Sequence, residues 1–148
     1  MPHDAAIARF QALLRIPTIS RVDESQVQWE HFFLTRLQEL FPLVHRKLDR
    51  EIVAGYSLVF RWPGRSSAEP SVLMGHYDVV AATDFGWKHP PFAAELSGKG
   101  DDQLIWGRGT IDDKGAVVAI LEAIEAQIEA GLQPAQDIYL CFGHDEET

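Results

Sequence analysis

Apolar residues Ile7, Phe10, Leu13 and Leu14 recur at three- and four-residue intervals, the spacing of one helical face. Asp4 stands before them as a cap, and Pro17 ends the run. The stretch "PTISRVDES" reads as a loop. A second amphipathic helix is predicted from about Glu24 to Phe41, with Val27, Phe33, Leu37, Leu40 and Phe41 inward and Pro42 as its stop.

The period then changes. "LVHRKLD" and "YSLVFRW" read as strands, separated from the next strand by the turn-forming "PGRSSAEP". "SVLMG" is a short apolar run, which predicts a strand buried on both faces. An irregular stretch extends from Tyr77 to about Pro91. After "QLIWG" and the loop "RGTIDDKG", "AVVAILEAIEAQIEAG" predicts a long helix closed by Gly131, and "DIYLCFG" a buried strand. Strand, loop, helix, strand is a βαβ alternation. It predicts an α/β fold whose sheet has parallel members. No internal repeat or linker divides the chain.

Composition narrows the function. The chain has 148 residues, 46% of them hydrophobic, enough for one core. Its formal charge is −9, from 22 acidic and 13 basic residues. That argues against nucleic acid, which needs a basic footprint, and against an anionic membrane surface. It suits a site that collects cations. The single cysteine, Cys141, excludes an intramolecular disulfide and a CxxC zinc ribbon. No stretch reaches the roughly 18 apolar residues of a membrane span. "MPHDAAIARFQALLRI" lacks the basic and apolar segments of a signal peptide, so a cytoplasmic protein is expected.

In open α/β sheets ligands bind beyond the carboxyl ends of the strands. Three polar clusters fall there: "HYD" after "SVLMG", "DDK" at the start of the long helix, and "HDEE" after "DIYLCFG". Imidazole nitrogen and carboxylate oxygen are ligands for a borderline cation such as zinc. His76 and Asp78, two apart in an extended segment, lie on one side, so Asp78 can orient the imidazole that binds metal. Asp112 has two oxygens with which to bridge two cations. Of Glu146 and Glu147, one can bind metal while the other acts as general base on an activated water. Cations would offset the repulsion among these acids.

"GHYDVV", "WGRGTIDDKGAVVAILEAIEA" and "FGHDEET" are similar to the metal-site motifs of the M20 family of di-zinc peptidases and amidohydrolases. The likeness is greatest to the carboxypeptidase S-like branch, which includes N-acyl-amino-acid hydrolases and shares "WKHPPF". The resemblance implies a zinc-peptidase-like fold: α/β, three-layer, with a mixed, mostly parallel sheet flanked by helices. It implies His76 as a ligand of one zinc, Glu147 of the other, Asp112 as the bridge, Glu146 as general base and Asp78 as the residue orienting His76. Two zinc ions per complete site follow, with cobalt or manganese as substitutes, and a cis peptide between Asp112 and Asp113. The substrate implied is a small peptide or N-acyl amino acid, and a homodimer is open to the full-length protein. The family completes its site with a further carboxylate and a distant His, and inserts a lid or dimerisation domain. On that reading residues 1–148 are the N-terminal portion of the zinc-dependent catalytic domain, truncated before those parts. The alternative is a non-catalytic fragment or metal-binding module lacking two ligands.

Other residues have plainer readings. Asp113 reads as a helix N-terminal acid that suits the macrodipole. Lys114 and Arg108 read as structural or charge-balancing. His144 and Asp145 support the site or face solvent. His3, His31 and His45 read as surface residues, and His89 as a wall of the cleft or part of a structural loop. Cys141 reads as a small core residue. Asp101 and Asp102 read as solvated turn residues.

Overall fold

The computed structural model describes the backbone of residues 2–20, 27–83 and 85–148. Helices α1 (Pro2–Leu14), α2 (Val27–Leu40), α3 (Pro42–Lys47) and α4 (Lys114–Glu129) accompany strands β1 (Asp49–Val53), β2 (Ser57–Trp62), β3 (Ser71–His76), β4 (Glu95–Ser97), β5 (Leu104–Trp106) and β6 (Ile138–Gly143). The main sheet has the order β1-β2-β6-β3, and β4 and β5 form a separate hairpin.

α4 is buried at Lys114, Val117, Val118, Leu121 and Ile124, a stripe at helical spacing. It packs onto one sheet face, where β2 offers Leu58 and Phe60 opposite Phe142 and Leu140 of β6. Leu13 of α1, Phe33 and Leu37 of α2, Phe41, and Val44 of α3 complete the same core. β3 and β6 are parallel and adjacent, joined through α4 as the βαβ alternation predicts. No helix among the described residues is long and apolar enough to cross a membrane.

The fold departs from the sequence reading in several places. Asp4 lies within the first turn of α1, which begins at Pro2; there its charge favours the helix dipole instead of capping. The expected start of the second helix at residues 24–26 lies outside the described residues. "LVHRKLD" is mostly α3, with β1 beginning only at Asp49. Pro42 suits a helix's first position, and Glu125 of α4 accepts from the Leu43 and Val44 N–H groups at 2.9 and 2.8 Å. A cap supplied from 82 residues away has no local signature.

The sheet is mixed, but two of its three pairings are antiparallel, so the expected parallel majority does not hold among the described strands. β3 is an edge strand, and its Val72, Leu73 and Met74 are exposed, contrary to burial on both faces. Cys141, expected in the core, is half-buried on the open face, between Val59 and Met74 in register.

Candidate active site

The site lies where the carboxyl ends of β3 and β6 meet the start of α4. Alternation beyond β3 decides which side chains point inward. Tyr77 is wholly buried, stacked on Phe33 with centroids 4.4 Å apart, and its hydroxyl donates to the Tyr56 carbonyl at 2.9 Å. Its neighbours His76 and Asp78 therefore face the site, as an extended segment requires. The Tyr77 N–H donates to the Gly143 carbonyl at 3.0 Å, which keeps the two strand ends level.

α4 approaches β3 closely because residue 75 is glycine. A Cβ there would stand 2.9 Å from Asp113 Oδ2 and 3.1 Å from Val117 Cγ2. Gly115 lets the preceding loop pass close to the start of α4: a Cβ there would meet the Thr110 carbonyl oxygen at 2.4 Å. The Asp112–Asp113 peptide is cis.

The residues singled out in sequence come together. His76 Nε2 is 3.0 Å from Asp112 Oδ1 and 3.7 Å from Glu146 Oε2. His76 Nδ1 is 3.3 Å from Asp78 Oδ1 and 3.2 Å from the Asp78 carbonyl oxygen. His76, Glu146 and Glu147 each offer a ligand atom, all within 4.8 Å of one another. Asp78 does more than face the imidazole: its Oδ2 accepts from the Glu147 N–H at 2.9 Å. One carboxylate thus holds both the "HYD" and the "DEE" segments.

Burial separates two classes of acid. The Asp78 side chain is 1% exposed, whereas Asp112 and Glu146 are 75% and 63% exposed. The buried acid can orient; the exposed ones can reach a ligand. Burial draws the His76 pKa down, but the Asp112 hydrogen bond, the Asp78 charge and carbonyl, and the Glu146 charge outweigh it, leaving it raised. The imidazole thus sits in a field that attracts a cation. Asp78 Oδ1 is buried and lacks a hydrogen-bond partner of good geometry. One imidazole nitrogen amid carboxylate oxygens, backed by that orphaned oxygen, fits a borderline cation such as zinc.

Sequence reasoning missed several supporting residues. Asp113 is more than a dipole acid: it makes no side-chain cap, and its Oδ2 accepts from the His76 N–H at 3.3 Å. Thr18 is buried, and its hydroxyl donates to the Tyr77 carbonyl at 2.5 Å. Nothing in the local pattern marks either contact. Lys114, read as structural, is wholly enclosed; burial pushes its pKa down to about 7, opposed by the Asp78 charge. His144 Nδ1 lies 2.7 Å from Ser57 Oγ, fixing the base of the acidic loop to β2.

His45 corrects the surface reading: its ring is half-buried, edge-on to Phe60. His31 is exposed, and the His3 side chain lies outside those described. His89 is held by Glu95 at 2.6 Å and packs on Trp106. Arg108 lies over Trp87, 5.1 Å from the ring centroid. Asp102 is exposed in its turn; the Asp101 side chain is outside those described.

Residues 72–148, from β3 through the acidic loop, match the model of peptidase family M20/M25/M40. Probable carboxypeptidase S-like 2 of Dictyostelium discoideum is 50% identical over 113 residues, covering 75% of this chain and 21% of that protein. The N-fatty-acyl-amino acid synthase/hydrolase PM20D1 of Xenopus tropicalis is 36% identical over 145 residues, covering 95% and 28%. In three dimensions the dipeptidase Dug1p of Saccharomyces cerevisiae superposes with a TM-score of 0.75 at 20% identity, covering 98% of this chain and 33% of that one. The chain spans between 21% and 28% of the length of these two sequence relatives. With the family motifs matched in order and the fold shared over nearly the whole chain, this polypeptide belongs to peptidase family M20/M25/M40.

Proposed function

We propose that this chain is the N-terminal portion of the catalytic domain of a metal-dependent hydrolase that cleaves an amide bond in a small peptide or N-acyl amino acid. The observation that carries the reading is that Asp112 and Glu146 meet His76 Nε2 while His76, Glu146 and Glu147 offer ligand atoms within 4.8 Å of one another, with Asp78 buried behind the imidazole. His76, Asp112 and Glu147 would hold the metal, which in the complete site would be two zinc ions, with cobalt or manganese as substitutes. When bound, zinc supplies Lewis-acid polarisation of the scissile carbonyl and lowers the pKa of water.

The Asp78 carbonyl oxygen accepts from the His76 Nδ1–H, with the Asp78 carboxylate beside it, and so Nε2 is presented as the lone-pair donor. Glu146 takes a proton from the attacking water and passes it to the leaving amine nitrogen. Its exposure suits that role, since the carboxylate must reach both atoms. The names of the two sequence relatives, a probable carboxypeptidase S-like protein and an N-fatty-acyl-amino acid synthase/hydrolase, support peptide and N-acyl amino acid substrates alike.

The test is Glu146→Gln in a polypeptide of the relatives' length that carries this chain. Hydrolysis of N-acyl amino acids and dipeptides should fall by about 10²–10⁴-fold with zinc content unchanged. Undiminished turnover would remove Glu146 from the role.

A second reading, a metal-binding module without catalysis, draws on the fact that among the described residues one imidazole and two carboxylates lie within mutual reach. That is enough for a single weakly held ion. Zinc stoichiometry of the 148-residue chain separates the two: two tightly held ions per chain would rule the module out.

A further inference from the structure

Lys114 and Asp78 are the two charged side chains buried among the described residues. An enclosed amino group needs acceptors, and Lys114 finds them far away in sequence. Its Nζ donates to the Ile16 carbonyl at 2.6 Å and the Leu13 carbonyl at 3.2 Å, and lies 5.3 Å from the centre of the Phe33 ring. The Leu13 carbonyl belongs to the last turn of α1, where a helix leaves acceptors without intrahelical partners, and the Ile16 carbonyl lies two residues beyond the helix end.

The chain beyond that point forms a strap. The Val79 N–H donates to the Thr18 carbonyl, and the Ser20 N–H to the Val79 carbonyl, both at 2.9 Å. Thr18 Oγ1 donates to the Tyr77 carbonyl at 2.5 Å, and Ile19 bridges Val79 in parallel. Residues 16–20 contribute no metal-ligating side chain. Yet the strap grips the backbone on both sides of Asp78, at residues 77 and 79.

We propose that Lys114 is a positioning residue: its amino group fastens this strap to the first turn of α4, and so fixes the His76–Asp78 limb of the site against the Asp112 limb. Lys114 stands two residues after Asp112, on the helix whose start carries that acid. Asp78, gripped by the strap, sets the His76 ring and the Glu147 backbone. An apolar side chain of similar length fills the same space but ties nothing to the Ile16 and Leu13 carbonyls. The consequence for metal binding rests on the functional reading above; the consequence for the backbone does not.

The experiment compares Lys114→Met, Thr18→Val and their combination in this chain, with Leu121→Ala as a core control. Two quantities are read: hydrogen exchange at the Val79 and Glu147 amides relative to the β1–β2 amides, and zinc affinity by competition with a chromophoric chelator. Each single change should speed exchange at Val79 and Glu147 by about tenfold or more while sparing β1–β2, as a local opening does. Zinc affinity should fall about 10–100-fold, the usual effect of losing an outer support. The combination should be no worse than the stronger single change, because both cut one strap.

Unchanged protection at both amides in Lys114→Met overturns the proposal. So does a loss spread evenly over β1–β2, as expected of Leu121→Ala. If Lys114→Met does not fold, Thr18→Val cuts the strap's other end and decides by the same criteria. If the unmodified chain takes up no zinc, the metal reading fails, while the amide pattern still judges the strap.

Discussion

The site has an inner wall and an outer wall, and they are built differently. On the inner side Asp78, Thr18, Tyr77 and Lys114 are buried and tied to backbone groups from distant parts of the chain. On the outer side Asp112 and Glu146 stand mostly in solvent, contacting His76 from the open edge. The difference teaches that one cluster of charges serves two purposes. Buried members spend desolvation energy to fix geometry, and exposed members remain free to meet a ligand.

The largest expected effect breaks the inner wall. Asp78→Ala leaves the Glu147 N–H without its acceptor and removes the carboxylate facing His76 and Lys114. Urea unfolding should show a loss of about 3 kcal/mol, the scale of breaking a buried charged contact. A loss below about 1 kcal/mol would mean that the two segments are held in register without Asp78.

A smaller effect uses the histidines as reporters of the same contrast. Burial, its largest influence, lowers the pKa of His45, outweighing the Phe41 carbonyl that accepts from its ring. Its folded state takes up a proton less readily than the unfolded chain. His45 therefore contributes stability above pH 6.5 that is lost as pH falls through its lowered value. His76 has the opposite sign. With its pKa raised, its contribution in the metal-free chain is full below pH 6.5 and is lost as pH rises through the raised value. NMR titration of the metal-free chain should place the two rings on opposite sides of 6.5. Added zinc should abolish the His76 titration and leave that of His45 in place. Zinc that moved both rings alike would mean that the ion binds somewhere other than the site.

The smallest expected effect lies on the outer wall. Glu146→Gln should alter the unfolding free energy measured in urea by no more than about 0.5 kcal/mol, as for an exposed side chain outside the hydrogen-bonded frame. Combined with the activity loss expected of that substitution, this would separate chemistry from scaffolding. A loss as large as that of Asp78→Ala would erase the distinction between the walls.

Features with local causes were legible in the chain. α4 shows in its apolar stripe from Val117 to Ile124, and the three polar clusters show because each follows a strand or opens a helix. The βαβ step between β3 and β6 shows in the alternation of periods. What failed was decided at a distance. α3 looks like a strand until Glu125 caps it. The apolar run Val72–Met74 suggests burial on both sides, yet nothing among the described residues covers it. The hydrophobic pattern records which side chains avoid water, and it does not say which neighbour shields them.

By itself, then, the sequence determined three of the four helices and most of the strands, the acidic balance, and the identity and order of His76, Asp78, Asp112, Glu146 and Glu147. These depend on side-chain type and on spacings of a few residues. Only the tertiary structure decided that Asp78 joins two limbs 69 residues apart, that Asp113 turns to the His76 backbone, and that Lys114 is anchored to carbonyls at and just beyond the end of α1. Each of those contacts pairs a side chain with a backbone group. Every residue but proline carries the same N–H and C=O, so sequence leaves no mark of which one a side chain will find.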